Sequence, residues 1–236
     1  MNASLAPTLL ADGFAIAESG LEEAALEDLR QAVAPILAEH AGRGGVRNAL
    51  ARVPALGPVI AGPLRDLVRP YFDTAPVAVR VLLFDKTPVA NWKVTWHQDV
   101  TIGVTDYEEK AGWGPWSRKD GGWHVRAPAP VLADMLTARL HLDPCGPGNG
   151  PVRVIPGTHR FGRLGDGEIE SASRRALPVD CLVPAGGVLL LRPLLLHSSA
   201  PAAEPSRRRV LHVEFAGRAL PDGLRWAEPF PEAPHP

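Results

Sequence analysis

The spacing of apolar residues changes once along this chain. Near the start they recur at helical intervals, with Leu21, Ala25, Leu26, Leu29 and Val33 on one face, which predicts a helix to about Glu39. Ser19 and Glu22 read as an S-x-x-E capping box at its beginning, Pro35 as a kink, and Gly42 as the signal near its end. A second, shorter helix is expected over 62–71. From residue 77 the runs become short and β-branched or alternating. They predict strands over 77–84, 92–96, 136–142, 152–155, 181–183, 188–192 and 208–215, separated by Gly/Pro turns.

Two stretches follow neither period. Residues 105–130 set Trp113, Trp116 and Trp123 among glycines and prolines. Loops of that length are functional lids or disordered segments, and the tryptophans argue against disorder. The segment is therefore expected to be a structured insert, packed on the body of the fold or closing over a substrate. From Pro221 the chain is expected to be irregular.

Helices followed by many short strands predict an α+β, mainly β architecture built on a barrel or sandwich. A length of 236 residues suits one domain over 1–236, with its core at about 12–220 and the Trp-rich segment as an insertion. Composition agrees, since 25 prolines and 23 glycines imply many turns. A formal net charge of −1 gives no bulk attraction to nucleic acid or an anionic membrane. Cys145 and Cys181 have no metal-type spacing, so a thiolate zinc site is not expected and free thiols of a reducing compartment are. The first residues lack the basic and apolar regions of a secretion signal, and no apolar run approaches the roughly 18 residues that span a bilayer. Cytoplasmic residence is the expectation.

Candidate chemistry lies in histidine–carboxylate pairs. His97 and Asp99, in W-H-Q-D, and His197 form the ligand set of a facial-triad iron(II) site, which leaves open positions for substrate and oxygen. Two other pairs compete, His141 with Asp143 and His212 with Glu214. Residues two apart on a strand share a face, so any pair could chelate. The 97/99 pair is favoured by a third ligand one hundred residues on, with strands between to bring the two together. The 141/143 pair runs into Pro144 and a turn, and the 212/214 pair has only His235 after it. His40, His124, His141, His212 and His235 are read as solvated or hydrogen-bonded imidazoles. Arg207, Arg208 and Arg209 follow, and periodicity alone does not say which of them faces a site.

These segments resemble a known family. N-G-P-V-R-V-I-P-G-T-H-R at 149–160, W-H-Q-D at 96–99, His197–Ser199 with an arginine eleven beyond the histidine, and D-G-F at 12–14 resemble the phytanoyl-CoA dioxygenase family in order and spacing. The resemblance implies a double-stranded β-helix (jelly-roll, cupin-like) core with the N-terminal helices packed on one sheet. It implies Fe(II), 2-oxoglutarate and O2 as cofactor and co-substrates. By the same resemblance His97, Asp99 and His197 are the catalytic metal ligands, and Arg208 with Ser199 holds the 2-oxoglutarate C5 carboxylate. His159 of the signature is structural. Related halogenases carry a small residue in place of the carboxylate, so Asp99 implies hydroxylation of an unactivated C–H in a small-molecule substrate.

Lys93 and Thr95, read as sharing the strand face of His97, and Arg139 are further candidates for anionic co-substrate or substrate. Trp113, Trp116 and Trp123 are candidates for substrate contact. Two rival readings are a jelly-roll metalloenzyme that does not use 2-oxoglutarate and a non-catalytic binding module descended from an oxygenase. Neither nucleic acid nor membrane is an expected partner.

Overall fold

The computed structural model describes residues 5–18, 20–204 and 206–231. Helix α1 (Leu5–Asp12) leads into strand β1 (Phe14–Ala17), and α2 (Glu23–Glu39) follows. Helix α2 runs unbroken through Pro35, with Leu26, Leu29, Val33 and Leu37 buried. Its N-cap is Glu22, in extended conformation and without a side-chain cap bond, so the helix starts later than a capping box would place it. Ser19, the other half of that box, lies outside the described residues. After β2 (Gly45–Val46), short helical turns run from Ala49 to Tyr71, interrupted by non-helical dihedrals at Gly62.

The remaining strands are β3 (Val77–Lys86), β4 (Val94–His97), β5 (Thr101–Val104), β6 (Trp116–Lys119), β7 (Gly122–Arg126), β8 (Met135–His141), β9 (Val152–Val154), β10 (Val179–Cys181), β11 (Val188–Leu191), β12 (His197–Ser199) and β13 (Arg208–Ala216). They pair into a six-stranded sheet β1-β11-β8-β13-β3-β2, a four-stranded sheet β10-β9-β12-β4 and a three-stranded sheet β5-β7-β6. Among the described residues every ladder is antiparallel, and those at the centre of the large sheet join strands distant in sequence, such as β13 with β3 and β8. This is the jelly-roll arrangement, α+β and mainly β.

Alternation along the strands of the large sheet sorts its residues between two environments. Leu83, Leu136, Ala138, Leu140, Leu211, Val213 and Phe215 join the buried side chains of α2 in one apolar cluster, so the helices cover that face. The opposite face presents Arg80, Phe84, Arg139, Arg208, His212 and Glu214 to a cavity of about 1050 Å³, also lined by His97, Asp99, Val152 and His197 from the small-sheet side. A sheet face built of charges in a barrel interior is expensive to bury, and it is retained where a ligand uses it.

The Trp-rich segment is not a long loop. It holds β6 and β7, joined across Asp120 and Gly121, whose φ values of 48° and 83° suit a two-residue hairpin turn of the I′ kind. Trp113 is buried in a cluster with Ile102, Val125 and Leu132, while Tyr107 stacks on Trp116 and Trp123 at centroid distances of 4.9 and 5.2 Å. The tail, described as far as residue 231, is pinned at two points, where Phe230 pairs with Ala78 and Trp226 with Val104.

Candidate metal centre

The two halves of the ligand set are brought together by strand pairing. His97, at the end of β4, lies directly opposite His197, at the start of β12. Asp99 follows two residues on, and one ligand atom from each of the three lies within 4.8 Å of the others. His97 Nε2 is 3.6 Å from Asp99 Oδ1, and His197 Nε2 is 3.5 Å from Asp99 Oδ2.

The imidazoles are preset for a metal. His97 Nδ1–H donates to Thr95 O at 2.8 Å and His197 Nδ1–H to Leu195 O at 2.9 Å. Each bond fixes the tautomer that leaves the Nε2 lone pair aimed at the shared point. Burial pushes the His197 imidazole down to about 4, so it is neutral at ordinary pH. Burial also works against ionisation of Asp99, but the His197 and His97 imidazoles outweigh it and hold the carboxyl well below the usual carboxylate range. Burial works against the charged form of His97, but the Asp99 carboxylate outweighs it and raises that imidazole, so a metal would displace its proton. With both imidazoles neutral, the two Nε2 atoms, one carboxylate and an open side toward the cavity fit an iron(II) ion.

Several residues that the sequence left unremarked lock this geometry. Gln98, between two ligands, donates to Leu194 O at 2.7 Å and Gly162 O at 2.8 Å and accepts from Leu164 N at 2.9 Å. Asp99 N donates to Pro193 O at 2.8 Å. Thr158, in the P-G-T-H segment, accepts from Leu196 N at 3.0 Å and donates to Ile155 O at 2.8 Å, propping the residue before His197. His159 lies elsewhere, with its ring against Gly13 of the D-G-F segment. A polar side chain with short backbone partners on both flanks would have been the only hint of Gln98 and Thr158, and such contacts are not periodic.

The arginine run resolves by alternation. Arg207 pairs with Asp85 at 3.0 Å near the surface, and Arg209 clasps Asp143 with two bonds of 2.7 and 2.8 Å. Arg208 alone of the three turns inward, buried and lining the cavity. One of its terminal nitrogens donates to Gly150 O, and its Nε has no partner. Ser199 Oγ donates to the same Gly150 carbonyl at 2.9 Å. Lys86 stands behind them, fully buried, donating to Ala200 O at 2.6 Å and Ser199 Oγ at 3.4 Å.

Other candidates are placed differently. Lys93 and Thr95 are exposed and do not line the cavity. Their expected face is lost because His197 opposes His97 while Ser199 opposes Val94, so a bulge in β4 breaks the alternation. Val94 and Trp92 line the cavity instead. Trp113, Trp116 and Trp123 are also off the cavity lining, committed to the packing of their own sheet; from this segment it is the hairpin turn that reaches the mouth, where Asp120 meets Arg47 at 3.0 Å. Arg139 does line the cavity. Of the rival pairs, Asp143 faces away toward Arg209, and His212 with Glu214 hold one another at 3.3 Å.

The profile of the phytanoyl-CoA dioxygenase family matches residues 9–210. No curated protein sequence matches the chain. Among solved structures, AviO1 from Streptomyces viridochromogenes Tue57 superposes with a TM-score of 0.70 at 22% identity, covering 94% of this chain and 97% of the other. SnoK, a non-haem α-ketoglutarate-dependent carbocyclase from nogalamycin biosynthesis, gives 0.71 at 16% identity over 92% and 84%. EctD from S. alaskensis, solved with 2-oxoglutarate and 5-hydroxyectoine, gives 0.71 at 19% identity over 92% and 76%. At these identities the likeness is one of fold.

Proposed function

The chain belongs to the phytanoyl-CoA dioxygenase family, and from that premise we propose that it is an iron(II)- and 2-oxoglutarate-dependent oxygenase that hydroxylates an unactivated C–H of a small molecule. The observation that carries the reading is the convergence of His97, Asp99 and His197 on one point of a cavity that also receives Arg208.

In this reading the two Nε2 atoms and the Asp99 carboxylate hold the metal on one face. The bound iron, with oxygen and 2-oxoglutarate, supplies the oxidative decarboxylation to succinate and CO2 and the insertion of oxygen into the substrate C–H. Arg208, with its Nε free, binds the far carboxylate of 2-oxoglutarate by charge-assisted hydrogen bonds. Gly150 O holds both Arg208 and Ser199, so the guanidinium and the hydroxyl are presented together. Gln98 and Thr158 keep the ligand-bearing strands in register, and the strands set the distances that positioning demands. The side chains of His97 and Asp99 remain 37% and 31% exposed in the empty protein, so bound co-substrate and substrate would complete the exclusion of bulk water.

Anaerobic titration with iron(II) and then 2-oxoglutarate tests this. A weak visible charge-transfer band is expected as the keto acid chelates the metal. A folded, iron-loaded protein that never develops the band would sink the assignment.

A further inference from the structure

Among the described residues, three of the four cations that the large sheet turns inward have partners already; the exposed Arg43, Arg47 and Arg52 line the same cavity from outside that sheet. Arg80 Nη1 meets Glu214 Oε1 at 3.1 Å. Arg208 takes the far carboxylate of 2-oxoglutarate in the function proposed above, and Asp99 with the near carboxylate balances a divalent metal. Lys86 is satisfied by Ala200 O and the Ser199 hydroxyl. Arg139 is left over. No salt bridge reaches it among the described residues, its Nη1 donates to His212 Nδ1 at 2.9 Å, and its Nε is enclosed without a partner.

The contact to His212 aims the guanidinium. An arginine only donates, so His212 Nδ1 accepts, and His212 Nε2–H then donates to Glu214 Oε1 at 3.3 Å. These residues stand on adjacent strands with His212 opposite Arg139 and Glu214 opposite Arg80, so the orientation is built into the sheet. Burial, and then the like charge of Arg208, push the Arg139 guanidinium down to about 10, which leaves it charged at neutral pH. Asp99 offsets part of that push in the empty protein; once its charge is committed to a metal, Arg139 is a part-buried cation without an anion, which is costly until a ligand supplies one. The Phe84 ring centroid lies 5.4 Å from the guanidinium carbon, and the apolar Leu82 and Val152 also line the cavity.

We infer that Arg139 is the anchor for an acidic group of the substrate, and that the substrate is an organic acid with an apolar body. The inference rests on the oxygenase reading for its count of charges. His212 and Glu214 are positioning residues, and Arg139 is the specificity-determining contact.

The test uses the protein loaded anaerobically with iron(II) and saturating 2-oxoglutarate, titrated calorimetrically with hexanoate, hexanamide and hexylamine. Hexanoate is expected to bind at least tenfold tighter than the other two. Arg139→Gln keeps a donor for His212 but removes the charge. It is expected to abolish that preference while leaving 2-oxoglutarate affinity within about threefold, and Arg139→Lys is expected to restore part of it. Equal binding of the three probes, or an unchanged hexanoate preference in Arg139→Gln, overturns the inference. So does a loss of 2-oxoglutarate affinity in that variant, which would assign Arg139 to the co-substrate. If the charge-transfer band is missing altogether, the oxygenase reading fails, and the hexanoate preference of the metal-free protein still decides whether Arg139 binds an acid.

Discussion

At the scale of single residues, function turns on which of three neighbouring arginines faces inward. Arg208→Ala is expected to weaken 2-oxoglutarate binding about ten- to hundredfold, the value of a charge-assisted hydrogen-bonded contact, with iron affinity little changed. Arg209→Ala removes a bidentate clasp on Asp143 in which both side chains are largely buried, so it is expected to cost about 1–3 kcal/mol of stability in a urea melt and to spare 2-oxoglutarate binding. Reversed effects would mean the strand register is wrong. Lys86 provides a pH signature. Burial, then Arg208, lower its ammonium to about 8 from an ordinary 10.5. Between those values the unfolded chain holds a proton that the folded one has released, so stability rises with pH across that window and the penalty is complete below it. The gain is of the order of 1–3 kcal/mol. Cys181, raised by burial to about 12, pulls the other way above pH 9 in any variant that keeps it. The Lys86 effect is therefore read as the difference between urea melts at pH 7.5 and 10 in the wild type and in Lys86→Met; an equal slope in both would rule Lys86 out as the source.

At the scale of elements, the signature 149–160 works through its backbone. Gly150 has φ +59°, and a Cβ there would sit 2.6 Å from Ala200 O and 2.9 Å from Lys86 Nζ. The residue must be glycine for the turn to deliver its carbonyl to Arg208 and Ser199. Gly150→Ala is therefore expected to lower the melting temperature and the 2-oxoglutarate affinity together. A variant with a lowered melting temperature and unchanged affinity would show that the carbonyl is dispensable for the arginine. Most strands were legible as elements because β-branched runs such as 77–84 announce themselves. Short β4 and β9 were also anticipated, but other short strands, β5 and β12 among them, were not. Strand β12 is three residues long and β5 four, and their pairing comes from partners far away in sequence. The Trp-rich segment was legible as a structured insert but not as strands, because the small sheet its tryptophans pack is a tertiary fact that composition does not carry.

At the scale of the whole molecule, the charged interior ties stability to ligands. Metal and 2-oxoglutarate bind the folded state and neutralise a sheet face that is costly when empty. Each is expected to raise the melting temperature, with stabilisation of about 2.7 kcal/mol at a hundredfold excess over Kd. A chelator should reverse the metal-dependent part, and a melting curve indifferent to both would contradict a ligand-built interior. The sequence by itself determined the ligand types, their order and the polar face of β13, because side-chain chemistry and a period of two are local properties. It also carried the family's motifs, and with them the expectation of the jelly roll. Only the tertiary structure decided that Arg208 rather than Arg207 or Arg209 points inward. It alone took Lys93 and Thr95 off the face of His97, through a bulge set by pairing with β12. And it alone left Arg139 on the wall of the cavity that holds His97, Asp99 and His197, with no salt bridge among the described residues, because which charges neutralise one another depends on distances through space between strands far apart in the chain.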